Sequence, residues 1–226
     1  MRHHGLGHWL WLLTICLGLA GCGSGDAPPN EPEAAASSAT RSVASASMAR
    51  RAPKPIDLTN LELLIRTTMG DIRVRLDGER APLTVRNFLD YADAGHYNGT
   101  VFHQVVEDYI VLGGGYTADL VEKPTQQPIR NEAHNGLSNR RGTIAMARSY
   151  DAIDSSTCQF FINLTDNPML DHRGDTAEEY GYCVFGEVTS GLEVVEAISR
   201  VATRDVDTFE LLPVEPVVIR SVELIR

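Results

Sequence analysis

Residues 101–116 constrain the fold more than any other part of the chain, and their sequence is VFHQVVEDYIVLGGGY. The apolar residues on either side of Glu107-Asp108 are typical of two short, half-buried strands joined by a turn. The glycines at 113–115 then allow the backbone to approach another group closely or to turn through positive φ. A phosphate-binding loop is the alternative, but neither a helical pattern nor a Lys-Ser or Lys-Thr pair follows. We therefore expect a strand pair here.

The segments Leu61–Thr67 and Asp71–Leu76 predict a β-hairpin at the start of the domain. Their apolar residues alternate, and Thr68-Met69-Gly70 between them suits a tight turn. Further strand-like runs occur downstream, at residues 143–148, 158–164, 183–188 and 217–225.

Two helices are predicted among these strands. The first begins near Pro82, which suits a first helical turn, and ends at Gly95. The second covers residues 191–199, with apolar residues on one face. Many strands with only two helices indicate an all-β fold, a closed antiparallel barrel whose open ends are covered by the helices.

Charge and length limit the kinds of partner and the number of domains. The chain has 226 residues, enough for one ordinary domain with appendages. Its net charge of −10 argues against a nucleic-acid partner, whose phosphates would repel it. The same charge argues against membrane attachment through a basic patch.

Residues 1–21 predict a cleaved signal peptide. The apolar run from Trp9 to Ala20 is shorter than the ~18 residues that a spanning helix needs. It ends in Leu19-Ala20-Gly21-Cys22, which resembles the lipobox of bacterial lipoproteins, where the cysteine is lipidated and becomes the first mature residue. An ordinary secretory signal with a chance cysteine is the alternative. Two or more acyl chains on Cys22 would anchor the protein stably.

Residues 22–56 predict a flexible tether between this anchor and a folded domain at 57–226. The segment consists mainly of Ala, Ser, Pro, Gly and Glu and has almost no large apolar side chain. Such a composition buries too little surface to offset the entropy lost on ordering.

Two cysteines, Cys158 and Cys183, lie within the predicted domain, each in a strand-like run. An exported protein can oxidise such a pair to a disulfide if the two strands are suitably placed. Two small buried thiols are the alternative that we favour, because free cysteine is often buried.

Metal-binding patterns are weak. Asp166, Asp171 and Asp175 lack the spacing of a calcium loop. The histidines of the predicted domain are scattered and form no i, i+4 pair around an acid. We therefore predict no metal site.

Several segments together resemble a bacterial cyclophilin, a peptidyl-prolyl cis-trans isomerase. They are APLTVRNFLDY, GHYNGTVFH, GGGY, IRNEAHNGLSNRRGTIAMAR, CQFFINL and GYCVFGEV, all in family order. The resemblance implies an eight-stranded barrel with two capping helices and no metal or organic cofactor. It also implies that the protein is a monomer whose partners are proline-containing unfolded or extended polypeptides.

The chemistry of prolyl isomerisation explains what such a site needs. Rotation about an X-Pro bond crosses a barrier of ~18–20 kcal/mol because it breaks amide resonance. A catalyst must therefore hold the twisted amide better than either planar form. An apolar pocket grips the ring, and a hydrogen-bond donor near the proline nitrogen stabilises the localised lone pair.

The resemblance assigns these roles to particular residues. Gln104 stands where the family has its catalytic arginine in Phe-His-Arg, and Leu112 replaces a glutamine that helps to orient that arginine. The implied substrate-binding residues are Phe102, Tyr109, Ile110, Leu112, Ala147, Gln159, Phe161, Met169, Leu170 and Tyr182. The alternative for the apolar members of this set is that they are simply barrel core.

Two functions of different class follow. The first is a prolyl isomerase that assists folding of exported proteins, with reduced activity because Gln104 and Leu112 replace the arginine and the glutamine. The second is a non-catalytic proline-peptide binding module or holdase. In both cases we expect a lipid-anchored protein in the bacterial cell envelope, facing the periplasm.

Overall fold

The computed structural model describes Leu58 and residues 61–225 of the chain. The predicted signal peptide, the lipid site at Cys22 and the predicted tether all lie outside the described residues. Within residues 61–225, no helix is both long and apolar enough to cross a lipid bilayer.

The described residues form strands and two α-helices in an order that matches the predicted segments. The elements are β1 (Leu61–Thr67), β2 (Asp71–Leu76), α1 (Pro82–Asp93), β3 (Thr100–Val106), β4 (Ile110–Thr117), β5 (Thr143–Met146), β6 (Phe160–Asn163), β7 (Val184–Ser190), α2 (Leu192–Ser199), β8 (Thr203–Val206), β9 (Phe209–Pro213) and β10 (Val218–Ile225).

Eight of the strands close into an antiparallel barrel in the order β1-β10-β3-β4-β6-β5-β7-β2. This confirms the predicted fold, including the first hairpin, in which Leu61 pairs with Leu76 and Arg66 with Asp71. Strands β8 and β9 form a separate two-stranded sheet that the sequence patterns did not predict.

The barrel interior is filled by the inward-facing half of each strand. On β2, for example, Ile72, Val74 and Leu76 are buried while the intervening residues are exposed. Helix α1 closes one end, because the ring of Phe88 lies 5.4 Å from that of Phe160 and 5.1 Å from that of Phe185. Contacts between aromatic rings at these distances add to the free energy of burial.

Helix α1 has no capping side chain at its own N-terminus, where Ala81 stands. The cap comes instead from Glu132, whose carboxylate accepts hydrogen bonds from the backbone N–H of Leu83 at 3.1 Å and of Thr84 at 2.9 Å. A carboxylate there satisfies unpaired helical N–H groups and complements the helix dipole. The loop that contains Glu132 is thereby fixed to the helix.

The glycines of β4 continue the strand and let it pass close to its neighbours. A Cβ on Gly113 would lie 2.8 Å from Cδ1 of Phe102, and one on Gly115 would lie 2.7 Å from Cγ of Gln159. The close approach considered from the sequence is therefore what the structure has at these two positions.

Cys158 and Cys183 are both buried free thiols that belong to the barrel-interior cluster. Burial raises the pKa of Cys158 to about 11 and that of Cys183 to about 12. Both thiols are therefore protonated at neutral pH and pack as small apolar groups.

Candidate active site

One row of side chains crosses five neighbouring strands on the outer face of the barrel. The strand register places the row in the order Gln104 on β3, Leu112 on β4, Phe161 on β6, Ala145 on β5 and Val184 on β7. Residues directly opposite each other in adjacent antiparallel strands share a face of the sheet. Side chains of β3, β4, β6, β5 and β7 thus converge on one surface.

An apolar cluster occupies the middle of this row. We call five of its residues the pocket wall: Ala145, Phe161, Leu170, Tyr182 and Val184, all buried in one cluster that is separate from the barrel interior. The rings of Phe161 and Tyr182 meet edge to face, with centroids 5.7 Å apart. Ala145 contributes only a methyl group beside Phe161.

Three buried asparagines fix the backbone behind the pocket wall. The side-chain amide of Asn139 donates to the carbonyls of Leu170 at 3.0 Å and Tyr182 at 3.3 Å, and its oxygen accepts from Asn163 at 3.2 Å. Asn167 donates to the oxygen of Asn163 at 2.8 Å. Because buried amides are costly when unpaired, this network specifies one arrangement of the wall.

The edge of the site next to the pocket wall contains the two residues that depart from the family pattern. Gln104 is only 7% exposed and lies beside Leu112. The Gln104 side chain has no hydrogen-bond partner within the described part of the chain, so its amide is available to a ligand. Leu211, from β9, also packs against this cluster. We call Gln104, Leu112 and Leu211 the donor edge.

Comparison with known proteins agrees with this architecture. The model of the family described as cyclophilin type peptidyl-prolyl cis-trans isomerase/CLD matches residues 62–224. Peptidyl-prolyl cis-trans isomerase A of Dickeya dadantii is 46% identical over 168 residues, which are 74% of this chain and 86% of that protein. Peptidyl-prolyl cis-trans isomerase B of Escherichia coli is 47% identical over 156 residues, covering 69% and 94%. The chain belongs to the cyclophilin family. It is a peptidyl-prolyl cis-trans isomerase.

Solved structures give the same fold. A cyclophilin type isomerase of Cryptosporidium parvum superposes with a TM-score of 0.60 at 21% identity, covering 74% of this chain and 98% of that chain. A second structure of that isomerase, determined in the presence of the dipeptide Ala-Pro, gives a TM-score of 0.59 at 22% identity and covers 73% and 99%.

The structure brings most of the implied cyclophilin site residues together. Apart from the wall and the donor edge, Ile110 is buried in the same cluster, and Tyr109 and Ala147 pack against it. Met169 lies outside the cluster, with 52% of its surface exposed at the rim next to Leu170. Gln159 is half-buried, with its side chain close to Gly115 and hydrogen-bonded with His103.

Phe102 is a correction to the implied set. Its side chain is fully buried in the barrel interior, with its ring 6.2 Å from that of Phe160. The register shifts between Phe102 and Gln104, so the first residue faces inward while the second lies on the outer row. Phe102 therefore supports the strand and does not line the cyclophilin pocket.

His103 lies between these two residues and does not replace the missing guanidinium as a cation. Its ring is packed 4.8 Å from Tyr116 and 6.1 Å from Phe209. Burial lowers the pKa of His103 to about 4, against the opposing effect of hydrogen bonds with the Val101 backbone and the Gln159 side chain. The imidazole is therefore neutral at physiological pH.

Arg148 is a cation next to the pocket wall, but its N–H groups are already engaged. The guanidinium lies over the ring of Tyr182, 4.9 Å from its centroid. It donates to the backbone carbonyls of Gly181, Ser149, Tyr150 and Ala177. Arg148 thus holds the loops around Tyr182 in place and does not serve as the donor of the site.

The implied site omitted several residues that the structure adds to it. Ala145, Val184 and Val106 belong to the cluster, and their places follow from strand alternation once Phe161 is assigned to the outer face. Leu211 had no comparable signal, because neither β8 nor β9 was predicted.

A cavity of about 500 Å³ lies beside the pocket wall, lined in part by Leu137 and Val184. Both residues also contact the pocket cluster. Its charged rim includes two ion pairs, Arg75 with Glu187 and Arg80 with Asp77.

Proposed function

We propose that this isomerase works on proline-containing segments of exported polypeptides from a lipid anchor on Cys22, and that it turns over more slowly than relatives with the catalytic arginine. The observation that carries the second part is the donor edge, where Gln104 and Leu112 replace a charged donor and its orienting amide. The pocket wall supports proline binding, as does the Ala-Pro dipeptide used with the Cryptosporidium parvum relative.

Catalysis on this geometry divides between the two parts of the site. Phe161, Leu170 and Tyr182 offer an apolar surface to the pyrrolidine ring, which favours burial without distinguishing the planar amide from the twisted one. The twisted amide has a localised lone pair on nitrogen, and a donor at the edge stabilises that form selectively. The amide N–H of Gln104 is the donor available there.

The neutral donor sets the expected loss of rate. Hydrogen bonds to charged groups contribute ~1.5–3 kcal/mol, against ~0.5–1.5 kcal/mol for neutral pairs. Removing a catalytic donor altogether costs about 2.7–4 kcal/mol. The deficit therefore lies between roughly fivefold and a thousandfold in kcat/KM.

Restoring the family residues tests the proposed deficit. We expect Gln104→Arg to raise kcat/KM, and Gln104→Arg with Leu112→Gln to raise it by more than the two separate effects combined, because the introduced glutamine amide orients the introduced guanidinium. Gln127→Arg, which adds the same charge at an exposed site, should leave kcat/KM unchanged. The measurement is an isomerisation assay on wild type, on an arginine-bearing cyclophilin and on four variants, which are Gln104→Arg, Leu112→Gln, the double variant and Gln127→Arg.

Two outcomes would contradict this account of the donor edge. If wild type already matches the arginine-bearing cyclophilin, the neutral amide is a sufficient donor and the activity is not reduced. If the double variant stays inactive while it still binds proline peptides, the chain acts as the binding module or holdase considered from the sequence.

The anchor is tested separately. We expect metabolic labelling with a fatty-acid analogue to mark the mature protein and the labelled protein to sediment with membranes. Cys22→Ser should abolish both, whereas Cys16→Ser, which changes the other amino-terminal cysteine, should abolish neither. Unchanged labelling and sedimentation in Cys22→Ser would show that Cys22 is not the lipid site.

A further inference from the structure

The β8–β9 hairpin contains a bulge at Leu211, the residue of the donor edge that comes from outside the barrel strands. Arg204 pairs with Leu212 and Val206 with Phe209, so one residue of β8 faces two residues of β9. Leu211 is one of those two, and its φ is +52°, in the left-handed region. Bulges of this kind bend a strand and re-aim a side chain.

Leucine is an unusual residue for this conformation, which glycine, asparagine and aspartate adopt more readily. The chain holds Leu211 there by a specific contact, a hydrogen bond of 2.9 Å from its backbone N–H to Oδ1 of Asp205. Because backbone conformations of this kind recur where a side chain has to be placed for function, the position of Leu211 calls for a role.

The hairpin lies against the strand that contains Gln104. Strand β9 packs on β3, and the ring of Phe209 contacts those of His103 at 6.1 Å and Tyr116 at 5.0 Å. Two residues further along β9, Leu211 is partly buried against the pocket cluster, which also contains Leu112. Leu211 thus reaches the site from the β3 side and adds a second leucine to the edge.

We propose that Leu211 is a specificity-determining residue that makes this isomerase favour proline segments with a large apolar residue next to the proline. The inference rests on the proposed proline site at Phe161. When the proline ring of a peptide lies against the wall, the residues next to the proline cross the donor edge. Beside Gln104, that edge consists of the aliphatic side chains of Leu112 and Leu211. A flanking leucine or phenylalanine buries apolar surface against Leu112 and Leu211, whereas a flanking glutamate or lysine loses water contacts there.

The test is a peptide series in which the residue before or after the proline is alanine, leucine, glutamate or lysine. Exchange NMR on each peptide gives kcat/KM without a coupling protease. We expect wild type to favour leucine over glutamate by about tenfold at one of the two positions. Leu211→Asn and Leu211→Gly, which both suit the left-handed conformation, should reduce that ratio of leucine to glutamate peptide to about threefold or less, each variant being compared with its own rate on the alanine peptide.

Val214→Asn is the matched control, because Val214 is a partly exposed aliphatic residue just after β9 that lies outside the pocket cluster. It should keep the wild-type preference. An equal preference in wild type and both Leu211 variants, or its loss in Val214→Asn, would overturn the role of Leu211. Absence of both turnover and binding with every peptide would overturn the proposed proline site and this inference together.

Discussion

The pocket wall and the donor edge lie on adjacent strands of the same face, yet only one of them follows the cyclophilin pattern. The wall has Phe161, Leu170 and Tyr182 in place, tied by the asparagine network. At the edge, the neutral amide of Gln104 and the side chain of Leu112 stand where the family has a guanidinium and its partner amide. The difference teaches that substrate recognition and rate acceleration have separate physical sources, apolar burial in one case and a directed donor in the other.

The largest expected effect separates the wall from the barrel interior. Phe160 and Phe161 are neighbours on β6, both fully buried, but Phe160 belongs to the interior cluster and Phe161 to the wall. We expect each Phe→Ala variant to lower the free energy of unfolding by about 3–5 kcal/mol, because each leaves a cavity. Only Phe161→Ala should also weaken proline-peptide binding, by about 1–3 kcal/mol.

Denaturant unfolding measures the free energy of unfolding of each variant. NMR titration of the folded protein measures its affinity for the proline peptide. If Phe160→Ala weakened binding as much as Phe161→Ala, the outer cluster would not be a distinct binding surface. Equal affinity of wild type for matched peptides with and without proline would contradict the pocket itself.

The second prediction concerns the buried residue His103, which precedes Gln104 in strand β3. Its pKa is about 4 in the folded protein, against about 6.5 in an unfolded chain. Between these values the unfolded chain binds the additional proton, so the free energy of unfolding falls as the pH drops from about 6.5 to about 4. The loss attributable to His103 should reach about 3 kcal/mol.

Unfolding curves of wild type and His103→Phe across this pH range measure that contribution. The pKa of His96 is also lowered by burial, but His96 is present in both proteins and cancels in the difference. The two proteins should diverge progressively below about pH 6.5. Parallel curves would mean that the pKa of His103 is the same in the folded and unfolded states, so that burial does not keep the imidazole neutral below about pH 6.5.

Much of the fold could be predicted because it rests on local patterns. The alternation in Leu61–Thr67 and Asp71–Leu76 specified the first hairpin with its bounds, and Pro82 placed the start of α1. The β8–β9 hairpin escaped prediction because its alternation is interrupted by the bulge at Leu211. A left-handed leucine has no signature in sequence, since other residues are preferred there.

The candidate site was predictable to the extent that it uses the family's residue types. The residue type alone could not show that the side chain of Phe102 faces the barrel interior, because this depends on a register shift next to Gln104. Nor could it show that Arg148 is occupied by carbonyl groups, or that burial keeps His103 neutral. Both are consequences of long-range packing.

The third prediction addresses the framework that fixes the wall. Asn139→Leu should remove the hydrogen bond to the carbonyl of Tyr182 and one of the two hydrogen bonds made by the Leu170 carbonyl and by the Asn163 amide, which costs about 1–3 kcal/mol of stability. Peptide affinity should fall as well, because the wall loses its anchor.

Asn87→Leu is the matched control for this framework. Asn87 is a buried asparagine on α1 that donates to the carbonyl of Thr157 at 2.6 Å, away from the pocket wall. Its loss should cost stability without changing peptide affinity. The same affinity loss in both variants would indicate a general loosening of the barrel instead of a specific support of the wall.

The smallest expected effect lies at the donor edge itself. Gln104→Leu keeps the shape and removes the amide, so it should lower kcat/KM by the worth of a neutral hydrogen bond, ~0.5–1.5 kcal/mol, or about two- to twelvefold. Peptide affinity measured by NMR titration should stay within about twofold, because the wall is unchanged. A loss of affinity comparable to that of Phe161→Ala would mean that Gln104 belongs to the binding surface and that wall and edge are not separable. An unchanged kcat/KM would mean that the amide donates nothing to the twisted bond, and the residual rate would then come from the apolar pocket alone.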